Sequence, residues 1–224
     1  MNTGVRATAS SLFGLAVLGV LLFLPAGTLN YWQAWVFIAT SMVATILPSA
    51  YLARTNPAAL ERRMHGGPQA EARPLQKIVM TGMFTGLVAM LVVSAFDHRM
   101  GWSHPPGWVC VLGDVLVLIG LGIGMLVVVQ NGYAASTITV ESGQRLVSSG
   151  VYGLVRHPMY FGSVIMMIGV PLALGSYWGL CLVIPSLLAL VFRIRDEEKM
   201  LIGELAGYPE YAQQVRYRLL PYVW

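Results

Sequence analysis

The chain has 224 residues, of which 56% are hydrophobic and only 11% charged, with a mean hydropathy of +0.67. That balance excludes an ordinary water-soluble domain and points to an integral membrane protein. A net charge of +4 and a pI near 9.2 do not indicate nucleic acid, because the basic residues are spread along segments flanking the apolar runs instead of gathering on one polar module.

Crossing about 30 Å of hydrocarbon takes about 20 helical residues at 1.5 Å each. Four runs approach or exceed that length: residues 10–26, 32–53, 78–96 and 108–129. The first follows Arg6 as a secretory signal would, but the Leu-Pro-Ala-Gly that ends it is a weak cleavage site and further apolar runs follow, so a membrane span is expected. The apolar region 159–192 is too long for one crossing and is interrupted by Gly175-Ser176, which predicts two short spans joined by a tight turn. The expected architecture is an all-α integral membrane protein, a bundle of about six transmembrane helices whose last two form a short helical hairpin.

Lys and Arg collect in cytoplasmic loops, so their distribution tests that count. With the N-terminus inside, Arg6, Arg54, Arg62, Arg63, Arg73, Lys77, Arg145, Arg156, Arg193, Arg195, Lys199, Arg216 and Arg218 all fall on the cytoplasmic side, leaving only Arg99 outside. Both ends are therefore expected inside, in a multi-pass protein of an inner or cytoplasmic membrane. Trp32, Trp35, Trp102, Trp108 and Trp178 stand near span ends, as an interfacial aromatic belt requires. Residues 56–64 begin with Asn56-Pro57 and have mixed polarity, which predicts a short interfacial helix.

The fourth span contains Gly113, Asp114, Gly120, Gly122 and Gly124. The three closely spaced glycines follow no strand and lack dinucleotide-loop spacing, so Gly120 and Gly124 are expected to serve close helix packing as a small-xxx-small pair. Asp114 lies about one turn into the span, and a boundary position without a catalytic role is expected for it. Cys110 and Cys181 fall in apolar runs with no CxxC or Cys/His spacing, so neither a disulfide nor a metal site is expected.

After the fourth span the chain turns polar. Gln130-Asn-Gly-Tyr133 leads into a segment with alternation at residues 137–140, suggesting a short extended piece, and turn signals at Ser142-Gly143 and Ser148-Ser149-Gly150. Then comes Gly150-Val-Tyr-Gly-Leu-Val-Arg-His-Pro-Met-Tyr160, in which His157 precedes a proline and so marks a break ahead of the next apolar segment. Beyond the hairpin stands Arg193-Ile-Arg-Asp-Glu-Glu-Lys-Met-Leu201, whose Arg193 and Glu197 share a helix face. Because a hairpin returns to the side it left, the two polar clusters are expected to meet at one membrane surface.

Gly150-Val-Tyr-x-x-x-Arg-His-Pro-x-Tyr160, the hairpin, Arg193-x-x-x-Glu-Glu-x-x-Leu201 and Gly207-Tyr-Pro-Glu-Tyr211 resemble, in order and over residues 130–221, the C-terminal catalytic region of the isoprenylcysteine carboxyl methyltransferase family, itself similar to the phospholipid N-methyltransferases. The resemblance implies S-adenosylmethionine as methyl donor, reached from the cytosol. It implies cofactor contacts for Gln144, Arg145, Leu146, Val147, Tyr152, His157, Pro158, Met159, Tyr160 and Glu197, and substrate binding for Arg193. Residues 1–106 would then be the first three spans, and 107–224 a cytoplasm-facing C-terminal catalytic membrane region holding the cofactor pocket. Arg193, Glu197 and His157 are the candidate catalytic residues.

The residue types suit that chemistry. Methyl transfer from a sulfonium is an in-line displacement that needs alignment and exclusion of water more than an acid or base. Aromatic faces such as Tyr152 and Tyr160, with the Glu197 carboxylate, suit a cationic cofactor. A carboxylate acceptor is already ionised and Arg193 would hold it in a bidentate pair, whereas an amine would need a base, for which His157 or Glu198 is the candidate. The expected function is transfer of a methyl group to a lipophilic acceptor, a prenylated or lipid molecule or a small hydrophobic one, with membrane lipids as the other partners and neither nucleic acid nor metal. The alternatives are an NADPH-dependent membrane sterol or steroid reductase, which shares an Arg-His-Pro-x-Tyr-like element, and a non-enzymatic scaffold.

Overall fold

The computed structural model describes residues 3–64, 66–71, 73–134, 137 and 143–224, and every regular element among them is helical. In order these are α1 (Thr3–Ala26), α2 (Trp32–Thr55), α3 (Pro57–Met64), α4 (Pro74–Met100), α5 (Gly107–Gln130), α6 (Pro158–Ala173), α7 (Val183–Glu204) and α8 (Tyr208–Gln214), with 3-10 turns at Pro68–Ala70, Gly150–Gly153 and Trp178–Leu182. The extended piece expected at 137–140 lies, Thr137 apart, outside the described residues, as does Ser142.

Five helices are long and apolar enough to cross a membrane: α1, α2, α4, α5 and the run through the last 3-10 turn and α7, Trp178–Glu204. Phe13, Leu47, Ile78 and Ile184 are exposed on them, a surface suited to acyl chains and not to water. The chain is thus a multi-pass helical membrane protein. The expected hairpin is present, although its arms differ: α6 has 16 residues and α7 has 22.

Although α6 is short, it runs between the two ends of the bundle. Its N-cap His157 lies at the end where α5 finishes, and its C-terminus leads to Ser176, whose hydroxyl donates to Asp97 near the end of α4. The chain then returns along α7 to Asp196, which accepts from Gln76 at the start of α4. The start of α4 and the polar ends of α5, α6 and α7 therefore share one end of the bundle. At the other end stand Trp32, Trp35, Trp102, Trp108 and Trp178, all exposed, with Trp102 edge-on to Trp178 at 6.2 Å. The expected belt thus gathers on the face away from the polar clusters.

The tightest packing joins α5 to α6, which run antiparallel. A Cβ on Gly120 would lie 2.4 Å from the Gly162 carbonyl oxygen, and one on Gly113 would lie 2.1 Å from the Ala173 nitrogen. Gly162 and Gly169 meet α5 from the other side in the same way. The expected Gly120/Gly124 pair is corrected by this geometry, because a Cβ on Gly124 would meet nothing within 4 Å. Seven residues bring a helix back to within about 20° of its starting face, while four overshoot by about 40°, so Gly113 and Gly120 share a stripe that Gly124 leaves.

Far from the polar ends, the buried Asp97 carboxylate accepts from the Ser103 amide and hydroxyl, each at 2.7 Å, and from the Ser176 hydroxyl. Tyr31 stacks on His98 at 3.8 Å and donates to the Leu174 carbonyl at 2.6 Å. Asp97 thereby fastens the hairpin turn to the α4–α5 connection. Asp97→Ala should strand three donors and cost about 3 kcal/mol, read as a lower thermal midpoint in detergent; an unchanged midpoint would refute the fastening. Asp114 is buried between helices with Thr40 of α2 beside it, so it is an interior residue and not a surface one.

Candidate active site

Where the polar ends of α5, α6 and α7 meet, they enclose a cavity of about 230 Å³. Gln144, Arg145, Leu146, Val147, Tyr152, His157, Pro158, Met159, Tyr160, Arg193 and Glu197 all line it. These residues come from three separate stretches, and the return of the hairpin is what makes them neighbours.

The wall from 150 to 160 is set by local backbone. Gly150 has φ +61°, and a Cβ there would fall 2.5 Å from the side-chain nitrogen of Gln130, so only glycine lets the chain turn against the end of α5. Gln130 accepts from the Val151 amide in that turn. His157 then adopts a non-helical φ of −124° and Pro158 opens α6, which is the break its place before proline predicts. The Arg156 and His157 amides donate to the Tyr217 and Arg218 carbonyls, each at 2.9 Å, so the C-terminal tail braces this segment.

The opposite wall is the end of α7. Arg193 Nε donates to the Tyr160 hydroxyl at 3.0 Å, and that hydroxyl donates to Glu197 Oε2 at 2.6 Å. The His157 ring stacks on Tyr160 with centroids 5.5 Å apart, and its Nδ1 lies 3.9 Å from Glu197 Oε2. Glu197 is the one carboxylate among the described lining residues. It accepts from the Tyr160 phenol and faces the His157 imidazole, and a carboxylate placed in so dry a site interacts strongly with a cation.

Glu198 behaves differently. It is buried, pairs with Arg156 at 2.8 Å and Arg218 at 2.7 Å, receives His157 Nε2 at 3.4 Å, and does not line the cavity. Its candidacy as a base is therefore corrected, because a carboxylate held between two guanidiniums and turned away from the cavity is a poor proton acceptor for a bound molecule. His157 keeps its place on the wall.

Other contributors to the wall were legible in the motifs only in part. Tyr152 accepts from Asn131 at 3.2 Å, and Tyr211 donates to the Tyr152 carbonyl at 2.7 Å. Tyr208 is buried on the wall with no hydrogen-bond partner for its hydroxyl among the described residues. Burial pushes the phenols of Tyr152, Tyr208 and Tyr211 up, so all three stay neutral and keep their protons near neutral pH. Met80 and Met83 of α4 also line the cavity, so its walls are not confined to residues 107–224. The sequence signal for Tyr208 and Tyr211 was the Gly207-Tyr-Pro-Glu-Tyr211 turn, whereas Met80 and Met83 carried none, being indistinguishable from other apolar residues of a span.

The first half of the chain also reaches Arg193. Glu71 pairs with Arg193 Nη2 at 2.9 Å, and Gln76 accepts from Nη1 at 3.1 Å. Arg73 meets Asp196 at 2.9 Å, docking the same segment against α7. Glu71, Gln76 and Arg193 are all nearly inaccessible to solvent.

Against known proteins, residues 108–205 match the model of the phospholipid methyltransferase family, just under half of the chain. A Delta(14)-sterol reductase of Mus musculus is 36% identical over 95 residues, which is 39% of this chain. The matched stretch spans only 22% of that protein's length. The region that supplies α5, α6, α7 and most of the cavity wall is thus similar to phospholipid methyltransferases, within a chain that shares a partial likeness with a sterol reductase.

Proposed function

We propose that this protein is a membrane methyltransferase that moves a methyl group from S-adenosylmethionine to a lipophilic acceptor entering from the bilayer. The observation that carries the reading is the convergence of Glu197, the stacked His157 and Tyr160 rings, Tyr152 and residues 144–147 on one cavity, inside the region similar to phospholipid methyltransferases.

The residues present fit that donor. When bound, S-adenosylmethionine supplies a methyl group on a sulfonium cation. Glu197 provides the negative charge that suits a cation, and Tyr152 and Tyr160 provide aromatic faces beside it. Leu146, Val147, Pro158 and Met159 would complete the donor's surroundings, with Gln144 and Arg145 at the same wall. Tyr208 offers a hydroxyl whose hydrogen bond a ligand would complete. Met80, Met83, Met200 and Leu201 add apolar wall, which excludes water from a displacement that depends on alignment. His157 stacks on Tyr160 and holds its position, and Arg193 fixes the Tyr160 hydroxyl toward Glu197.

In this reading the cavity opens to the cytoplasm, because Arg62, Arg63, Arg73, Lys77, Arg145, Arg156 and Arg218 flank its end of the bundle while the tryptophan belt marks the other. Residues 107–224 carry the chemistry, and the first three spans support it.

The partial identity to a sterol reductase favours a second reading, a membrane reductase using NADPH. Calorimetry on the detergent-purified protein separates the two. Binding of S-adenosylhomocysteine with no heat from NADPH is the expected result, and tight NADPH binding with no response to S-adenosylhomocysteine would overturn the methyltransferase reading.

A further inference from the structure

Every nitrogen of the Arg193 guanidinium is engaged from within the chain. Nε donates to Tyr160, Nη1 to Gln76, and Nη2 pairs with Glu71. A guanidinium lining a partly apolar cavity would ordinarily draw an anionic ligand, because its planar fork matches a carboxylate. Here that fork already holds a carboxylate, brought by the segment between α3 and α4 and pinned there by Arg73 and Gln76 on Asp196.

The consequence for charge is local and large. Around Arg193 stand Glu71 at 2.9 Å and, through the Tyr160 hydroxyl, Glu197. The trio sums to one negative charge, so a carboxylate approaching the Arg193 guanidinium meets repulsion from both acids; of the other guanidiniums on the wall, Arg145 and Arg156, the second is already paired with Glu198. The interaction is poorly screened, because Glu71 and Arg193 are buried. Displacing Glu71 would also leave its own charge in a dry setting, which is costly.

We propose that Glu71 is a specificity-determining residue that occupies the anion-binding side of Arg193 and keeps carboxylate acceptors out of the cavity. The proposal rests on the methyltransferase reading for what the site transfers, but not for what it excludes. Glu71 does not line the cavity and acts through Arg193, so it is a positioning residue and not a catalytic one. The feature could not be inferred from residues 130–221, because the residue that sets it lies more than a hundred positions before Arg193.

The test compares two probes that differ only in the charged end, decanoate and decanol, titrated calorimetrically into the full-length protein in detergent. The parent should bind decanoate no more tightly than decanol. Glu71→Ala should bind decanoate at least tenfold more tightly than the parent does, with decanol affinity moving less than twofold, and decanoate should raise its thermal midpoint. Because alanine leaves a cavity beside a buried cation, Glu71→Gln provides a variant that keeps size and hydrogen bonding while removing the charge, and it should show the same selective gain. A parent that prefers decanoate tenfold over decanol overturns the proposal, as does a pair of variants with the parent's selectivity. A purely structural role for Glu71 would shift both probes alike. S-adenosylhomocysteine is titrated in parallel: loss of that signal in the parent counts against the methyltransferase reading, while the decanoate comparison still decides the role of Glu71.

Discussion

Glu197→Ala is expected to lower affinity for S-adenosylmethionine by at least about thirtyfold, or about 2 kcal/mol, the scale of a hydrogen bond to a charged group in a partly desolvated site. Glu197 is the one carboxylate on the described cavity wall, and the Tyr160 phenol at 2.6 Å holds it without neutralising it. Removing the carboxylate takes away the one acid on the described wall, and because Arg193 is paired with Glu71 and Arg156 with Glu198, what remains offers a cationic ligand no charge attraction. The fold should survive, since the Glu197 side chain is about one-fifth exposed and its removal leaves the Glu71–Arg193 and Glu198–Arg156 pairs in place. Calorimetry on variant and parent at matched thermal midpoints provides the check. Equal affinity in the two proteins would mean that the cavity's acid does not hold the methyl donor. Glu197→Gln refines the result: with the shape kept and the charge removed, an intermediate loss assigns the effect to charge.

The second large effect concerns the α5–α6 seam. Gly120→Ala should unfold the protein in detergent or remove every ligand-binding signal, because the new Cβ would have to sit 2.4 Å from the Gly162 carbonyl and 3.0 Å from the Met166 nitrogen. Those are backbone atoms on a facing helix, so relief requires moving the whole helix, which also carries Pro158 and Tyr160. Overpacking of side chains typically costs about 1–3 kcal/mol, and a backbone clash of this kind exceeds it. Gly113→Ala should behave alike, with Ala173 as the obstacle. Gly124→Ala is the control: nothing lies within 4 Å of its added carbon, and alanine favours the helix by about 0.5–1 kcal/mol over glycine, so the thermal midpoint should hold or rise. Size-exclusion profiles and thermal midpoints of the three variants decide the matter; similar behaviour at positions 120 and 124 would refute the seam.

The contrast between Gly120 and Gly124 also indicates where sequence reading stops. A small-xxx-small spacing announces that a helix has a thin face, but the partner and its crossing register select which glycines are used. Asp114 follows the same logic: its place in the chain gave its depth, while the side chain's direction depended on where α2 packs. The adjacent acids Glu197 and Glu198 are alike in composition and point to different fates, one into the cavity and one between Arg156 and Arg218. A helix turns 100° per residue, so neighbours face different surroundings that only the tertiary fold supplies.

What could be read from residues alone was whatever depends on local order: span length from the run of apolar side chains, the break at His157 from the proline after it, the hairpin from Gly175-Ser176, and the gathering of residues 144–160 with 193–197 from the return of that hairpin. The engagement of Arg193 by Glu71 and Gln76, the contribution of Met80 and Met83, the withdrawal of Glu198 and the Tyr208 hydroxyl left without a partner among the described residues were decided in three dimensions. Hydrophobicity and backbone preference act within a few residues and leave a periodic trace in the chain, whereas an ion pair across more than a hundred residues leaves none until packing brings its two halves within 3 Å.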